Sequence, residues 1–244
     1  MKKFILFVIS ICFAVLLSAQ VSKTVNVTTG GFSTSLITKE HSNGTKLANS
    51  GTVTDIDGNV YNTVTIGTQI WMVENLKTTK YNDGTSIPNV TDYTEWGALT
   101  TGAYCWYNNN ASNKSPYGAL YNWYSVNTGK LAPVGWHVPT FAEWTTLNTV
   151  IGGVAGKLKE TGTDHWASPN TGATNETGFT ALPGGSRNGG YLAAFTGLGL
   201  SGYWWSTRDD NTGGAGEALM YNFDVISQYA SVKWIGSSVR CVKD

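Results

Sequence analysis

The chain has 244 residues, room for one sizeable domain or two small ones, with 16 Lys+Arg against 16 Asp+Glu and no formal net charge. Charged residues make up 13% of it, against about 25% in an ordinary soluble domain, while 29 Gly, 10 Trp, 12 Tyr and 8 Phe are present. These proportions exclude a disordered chain, a nucleic-acid binder, which needs a basic surplus, and an all-helical chain rich in Ala, Glu, Lys and Leu; a loop-rich β or α+β globule remains.

Met1-Lys2-Lys3 opens an apolar run from Phe4 to Leu17, interrupted by Ser10 and followed by the small residues Ser18 and Ala19. This is the pattern of a secretory signal peptide over 1–19. Its removal takes Lys2 and Lys3, leaving 14 basic against 16 acidic residues, a net charge of −2. Ile11, not a small residue, precedes Cys12, which argues against a lipid anchor. No other stretch reaches the roughly 18 apolar residues of a membrane span. The expected product is exported, to the extracellular space or outer surface, with the periplasm as the other destination. Cys105 and Cys241 then remain, and an oxidising compartment allows them one disulfide. Two buried thiols are the alternative. There is no C-x-x-C and no zinc-like Cys/His spacing.

Residues 20–50 form a Ser/Thr/Gly-rich extension with weak β character: Val25-Asn26-Val27-Thr28 alternates, and Gly30-Gly31 is turn-like. All ten Trp fall between 71 and 234, so the packed domain is read as 51–244. Thr52 to Tyr61 holds an Asp57-Gly58 turn between alternating runs, a strong hairpin signal. Gly67 marks a second turn, before a buried strand over 69–73. Ser115-Pro116 predicts a helix start, with Leu120, Trp123 and Tyr124 on one face and Gly129 as its end. Thr140 and Glu143 form a capping box for a second helix that buries Phe141, Trp144, Leu147 and Ile151 and stops at Gly152. Strands are expected at 204–205, 220–223 and 239–242. Two helices, short antiparallel strands and long loops make this α+β.

Chemical motifs are sparse. Gly197 to Gly202 spells G-x-G-x-x-G, but the strand-like Tyr203-Trp204-Trp205 follows where a dinucleotide site needs a helix. Ser186 lacks the second glycine of a nucleophile elbow. Of the three histidines, His41 lies in the extension, while His137 and His165 read as structural and as solvated in a loop. Asp55-Ile56-Asp57-Gly58-Asn59 starts like a calcium loop, but the twelfth position is Ile66 rather than Glu; a hairpin turn explains it. Asp209-Asp210-Asn211 is a second oxygen-rich loop where calcium is conceivable. Aromatic rings beside short amides suit sugars, whose ring faces stack and whose hydroxyls need hydrogen bonds. Tyr203, Trp204, Trp205, Trp106 and Tyr107, beside Asn108-Asn109-Asn110, are the candidates. Strand alternation predicts that only one of Trp204 and Trp205 faces the core.

Tyr104-Cys105-Trp106-Tyr107-Asn108-Asn109 and Tyr117-Gly118-Ala119-Leu120-Tyr121-Asn122-Trp123-Tyr124 resemble the Fibrobacter succinogenes major paralogous domain. So do Leu131 to Thr140, Gly178 to Gly185, Tyr203 to Ser206 and Ser238 to Val242. The resemblance runs from about Val53 to the C-terminus and implies an exported, surface-associated bacterial protein. A more distant similarity is to formylglycine-generating sulfatase-modifying enzymes, a variant of the C-type lectin fold. Their Leu-Pro-Thr-x-x-Glu-Trp resembles Val138 to Trp144, and their Gly-Phe-Arg-Cys resembles Ser238 to Cys241. The close Cys pair those enzymes need for copper is missing here, and Gly202 to Ser206 lacks the carboxylate of their calcium loop. The resemblance therefore implies a C-type-lectin-like scaffold without that catalysis.

The resulting expectation is a non-catalytic recognition module for glycan or another cell-surface ligand, with no nucleic-acid partner. No catalytic residue, metal site or required cofactor is assigned. An enzyme with an unrecognised site on this scaffold, or a purely structural surface protein, are the alternatives. The expected ligand surface comprises Arg187, Tyr203, Trp204, Arg208, Asp209 and Asp210, on the late loops that carry recognition in the C-type lectin fold.

Overall fold

The structure is a computed structural model that describes residues 25–29, 32–36, 49–189, 195–209 and 214–244. The expected signal peptide and His41 lie outside them. Two units are present, up to Thr45 and from Lys46 onward. In the first, β1 (Val25–Thr29) pairs antiparallel with β2 (Phe32–Leu36), Thr29 opposite Phe32. No helix among the described residues is long and apolar enough to cross a membrane.

The larger unit is β-rich α+β. One sheet has the order β3-β4-β5-β14-β8, from β3 (Asn49–Thr54), β4 (Val60–Ile66), β5 (Gln69–Met72), β8 (Trp136–His137) and β14 (Val242–Lys243). The other has the order β10-β9-β11-β12-β13, from β9 (Gly184–Arg187), β10 (Phe195–Leu198), β11 (Ser201–Asp209), β12 (Gly214–Met220) and β13 (Ser227–Ser231). A two-residue pair, β6 (Tyr104–Cys105) and β7 (Leu120–Tyr121), lies between β5 and β8 in sequence. The helices are α1 (Tyr93–Gly97), α2 (Lys114–Tyr117), α3 (Trp123–Val126) and α4 (Phe141–Val150).

The expected hairpin forms between β3 and β4. Gly58 takes the positive φ of 82° that its turn requires. Asp55 Oδ1 accepts from the backbone N–H of Asp57 and Asn59, and its Oδ2 accepts from the Tyr61 hydroxyl at 2.6 Å. The capping box of α4 also forms, Thr140 and Glu143 each satisfying the other's backbone N–H. Behind it Trp144, Leu147 and Ile151 are buried, with the Trp144 ring 4.8 Å from Trp71 and 6.5 Å from Trp204.

Three expected elements differ; of the strand expected over 239–242, only Val242 lies in a strand, β14. The helix over 115–129 is instead α2, β7 and α3 in succession. At Gly118 (φ 73°) the chain passes so close to Asn75 and Leu76 that a Cβ would meet the Leu76 carbonyl at 2.7 Å. The chain there extends rather than coils, and Asn122 starts a new helix by capping the Ser125 N–H. The strand expected over 220–223 ends at Met220, because Tyr221 and Asn222 turn.

Three buried cations hold the long loops. Arg187 donates to the carbonyls of Val90 (2.6 Å), Thr91 (3.0 Å) and Asp92 (2.9 Å), with its Cζ 4.2 Å from the Trp96 ring centroid and 5.2 Å from that of Phe195. Lys159 donates to the carbonyls of Thr171, Met220 and Phe223 and sits over Trp166. Arg240 donates to Asn75 Oδ1 at 2.9 Å and to the Phe179 carbonyl, stacked 4.1 Å from Phe179. Burial lowers its pKa to about 9, still well above neutral. None of the three forms an ion pair among the described residues.

Two stability outcomes follow from this packing. In denaturant melts Thr140→Ala should cost about 1 kcal/mol and Trp144→Ala about 3–5 kcal/mol; a neutral Trp144→Ala would mean α4 buries another face. Arg240→Lys keeps the charge but loses the planar fork and its stacking. It should cost about 2–4 kcal/mol, and an unchanged melt would mean that charge alone holds these loops.

Candidate functional site

Of the six residues expected to form one ligand surface, the structure describes the side chains of four, and two of these are buried. Arg187 is fully buried as a loop anchor, and Trp204 is buried at 1% exposure. Trp205 is also buried, at 0%, which corrects the expectation that one of this pair faces solvent. β11 is covered on both faces: Trp204 packs among Trp71, Trp144 and Phe179, and Trp205 among Tyr61, Tyr121 and Val239. Each indole N–H is spent internally, Trp204 on Asn75 Oδ1 (2.8 Å) and Trp205 on the Tyr121 carbonyl (2.7 Å). Trp106 and Tyr107 are core residues too. Tyr203 is half-buried against Tyr229. The Asp209 side chain and all of Asp210 lie outside the described residues.

Among the four described side chains, Arg208 is the exposed one. Its guanidinium lies 4.9 Å from the Phe141 ring centroid, at the start of α4. The two line a cavity of about 130 Å³ with Ala215, Gln228, Tyr229 and Ala230. The alternation of β11 and the pairing of β12 with β13 put Arg208, Ala215, Gln228 and Ala230 on the face that α4 packs against. Arg208 forms no ion pair among the described residues.

Glu217 shares this face, two residues beyond Ala215 and opposite both Trp204 and Gln228. It is 3% exposed, and its Oε2 has no hydrogen-bond partner. Burial raises its pKa from 4.5 to about 7. Sequence reasoning missed Glu217, although it is the lone charge in the run Gly-Ala-Gly-Glu-Ala-Leu-Met.

A larger cavity of about 230 Å³ lies between the β3–β4 turn and the 131–134 loop. Its polar groups are committed: Asp55 to its own turn, Asn82 Nδ2 to the Ala132 carbonyl, and Lys80 to Asp57 at 3.4 Å. The smaller cavity therefore offers the freer chemistry.

The remaining motifs resolve into structure. His137 lies between two carboxylates, Nδ1 to Asp244 and Nε2 to Glu143, both at 2.7 Å. Burial alone would lower its pKa, but these two bonds outweigh burial and raise it. His165 is tied to Glu160 at 2.8 Å and meets the Tyr117 ring edge-on, rather than standing solvated in its loop. The G-x-G-x-x-G run is the turn between β10 and β11, with no helix to face a phosphate. Ser186 Oγ faces Thr196 Oγ1 at 3.4 Å. Among the described residues no three His, Cys, Asp or Glu side chains are placed to share a metal ion.

The disulfide expected between Cys105 and Cys241 is corrected: both thiols are free and buried. They lie in different hydrophobic clusters, Cys105 with Trp96 and Leu120, Cys241 with Met72 and Val239. Burial pushes the Cys105 thiol up to about 11 and also raises that of Cys241, so the reactive thiolate is suppressed in both.

Glu217 gives the site a pH signature. The fold keeps its carboxyl protonated up to about pH 7, the unfolded chain only up to about 4.5. The native state holds the extra proton between those values, so this group's contribution to stability falls as pH rises through the window and levels off above it. The stability of wild type relative to Glu217→Gln should decline from about pH 4.5 to 7 in melts run across that range. His137 is common to both proteins and cancels; a flat difference would mean that solvent reaches the carboxylate.

The model of the Fibrobacter succinogenes major domain matches residues 64–243. No curated protein and no solved structure matches the chain. The matched span contains the three buried cations, the α4 capping box, and both Arg208 and Glu217. Since it covers well over half of the sequence, the chain belongs to the Fibrobacter succinogenes major domain family.

Proposed function

We propose that the chain is an exported, non-catalytic recognition module of C-type-lectin-like architecture that binds glycan at the Arg208–Phe141 shelf. One observation carries this reading. Of the three arginines in the sequence, two are consumed inside the fold, while Arg208 sits over an aromatic ring and lines a concave surface. A guanidinium held this way presents a fixed fork of N–H donors to a carboxylate or to adjacent sugar hydroxyls. The exposed Gln228 adds an amide that both donates and accepts. The long loops after α4 and the low charge of the surface support the same reading. The family match itself carries no ligand.

A glycan array probed with the purified exported chain, with calcium and with chelator, tests the proposal. Retention of a glycan, with Arg208→Ala weakening it by about 1–3 kcal/mol at an unchanged melting temperature, is the expected result. Arg208 is exposed, so the fold does not depend on its head group. No retained glycan, or equal binding by Arg208→Ala, would overturn the reading, and the calcium arms show whether a cation takes part.

A further inference from the structure

The two five-stranded sheets have four outer strands, and three of them are blunted. β3 carries a register shift between Asn49 and Gly51. β10 is interrupted by Gly197, which takes a φ of 78°. β8 is two residues long. The fourth, β13, runs Ser227-Gln228-Tyr229-Ala230-Ser231 in unbroken register against β12. It lacks the charge, proline or bulge with which proteins usually guard a sheet edge. Every second residue of an outer strand turns its N–H and C=O outward, and among the described residues no strand pairs with that side of β13.

From this edge we infer that the chain self-associates through β13, antiparallel, about a two-fold axis at Tyr229. The register is self-complementary. Gln228 of each copy lies across from Ala230 of the other, and Ser227 across from Ser231. Just beyond the strand ends Val232, 42% exposed, comes opposite Ile226 of the second copy and beside its Val225, 52% exposed. No residue from Val225 to Val232 is Lys, Arg, Asp or Glu, so the axis brings no like charges together. Isologous contact of one patch with itself is the usual basis of a closed dimer. The product is a continuous ten-stranded sheet, five strands from each copy.

An axis perpendicular to a sheet preserves its faces. The cavities lined by Arg208, Gln228 and Ala230 therefore open on the same side of the joined sheet. If the glycan reading holds, on which this clause alone rests, the dimer is bivalent toward a repetitive surface, where linked sites gain avidity without new contacts.

Sedimentation equilibrium of the purified exported chain, without ligand, tests the association itself. A reversible monomer–dimer equilibrium is expected. Ala230→Lys should weaken it by about tenfold or more, as an edge lysine does. The double variant Gln228→Glu/Ala230→Lys sets opposite charges across the axis twice and should restore it to within about threefold. Both positions are exposed, and melting curves identify any loss of fold. A chain that stays monomeric at several hundred micromolar, or a dimer indifferent to Ala230→Lys, overturns the proposal. Because no sugar is present, failure here leaves the glycan reading standing, and failure of the glycan array leaves the dimer standing.

Discussion

Buried cations that donate to backbone carbonyls hold this fold together. Long irregular segments are costly to order, about 1–2 kcal/mol of backbone entropy per residue, and regular ladders satisfy few of their polar groups. Arg187, Lys159 and Arg240 answer both problems. Each ties its own segment to carbonyls or an amide oxygen distant in sequence, and each lies against an aromatic face. Hydrogen bonds from a charged donor contribute about 1.5–3 kcal/mol each, and a desolvated cation over a ring adds up to about 2. The 13% charged composition takes on a different meaning in this setting: three of the few charges are internal fixtures, as several aromatic rings are.

Asn75 links these fixtures. Its Oδ1 accepts from Trp204 Nε1 and from Arg240, while its Nδ2 donates to the Tyr117 carbonyl and to Ser238 Oγ. One buried amide thus connects the segment after β5, the end of α2, strand β11 and the approach to β14. Gly118 fits against the same residue, which is why the chain extends there and β7 can pair with β6. The broken middle helix and the burial of Trp204 therefore have one cause: the polar ends of this hub must be met from several directions at once.

Function depends on what this interior leaves unused. With two arginines and most tryptophans committed, the surface toward α4 keeps Arg208 over Phe141, the Gln228 amide and, just beneath, the buried Glu217, whose Oε2 accepts no hydrogen bond. The proposed recognition surface draws on these groups. The His137 and His165 side chains are each held by carboxylates.

The local signals were legible in the sequence because their causes are local. The Asp57-Gly58 turn and the Thr140/Glu143 box need only residues a few positions apart, and both form where the pattern put them. The family was legible too, since its motifs are contiguous runs. Tertiary structure decided the rest. Whether Trp204 or Trp205 faced solvent depended on a second layer covering β11, which alternation along one strand does not encode. Arg187 was expected at the ligand surface because it lies on the late loops after the second helix; only the approach of 90–92 and of Trp96 makes it an anchor. The cysteines were paired by compartment and count, but a disulfide needs proximity, and the fold places them in separate clusters. The charge balance, the turns and the helix cap are properties of neighbours in sequence. The burial of Arg187, the raised acid of Glu217 and the open edge of β13 arise from packing between distant segments.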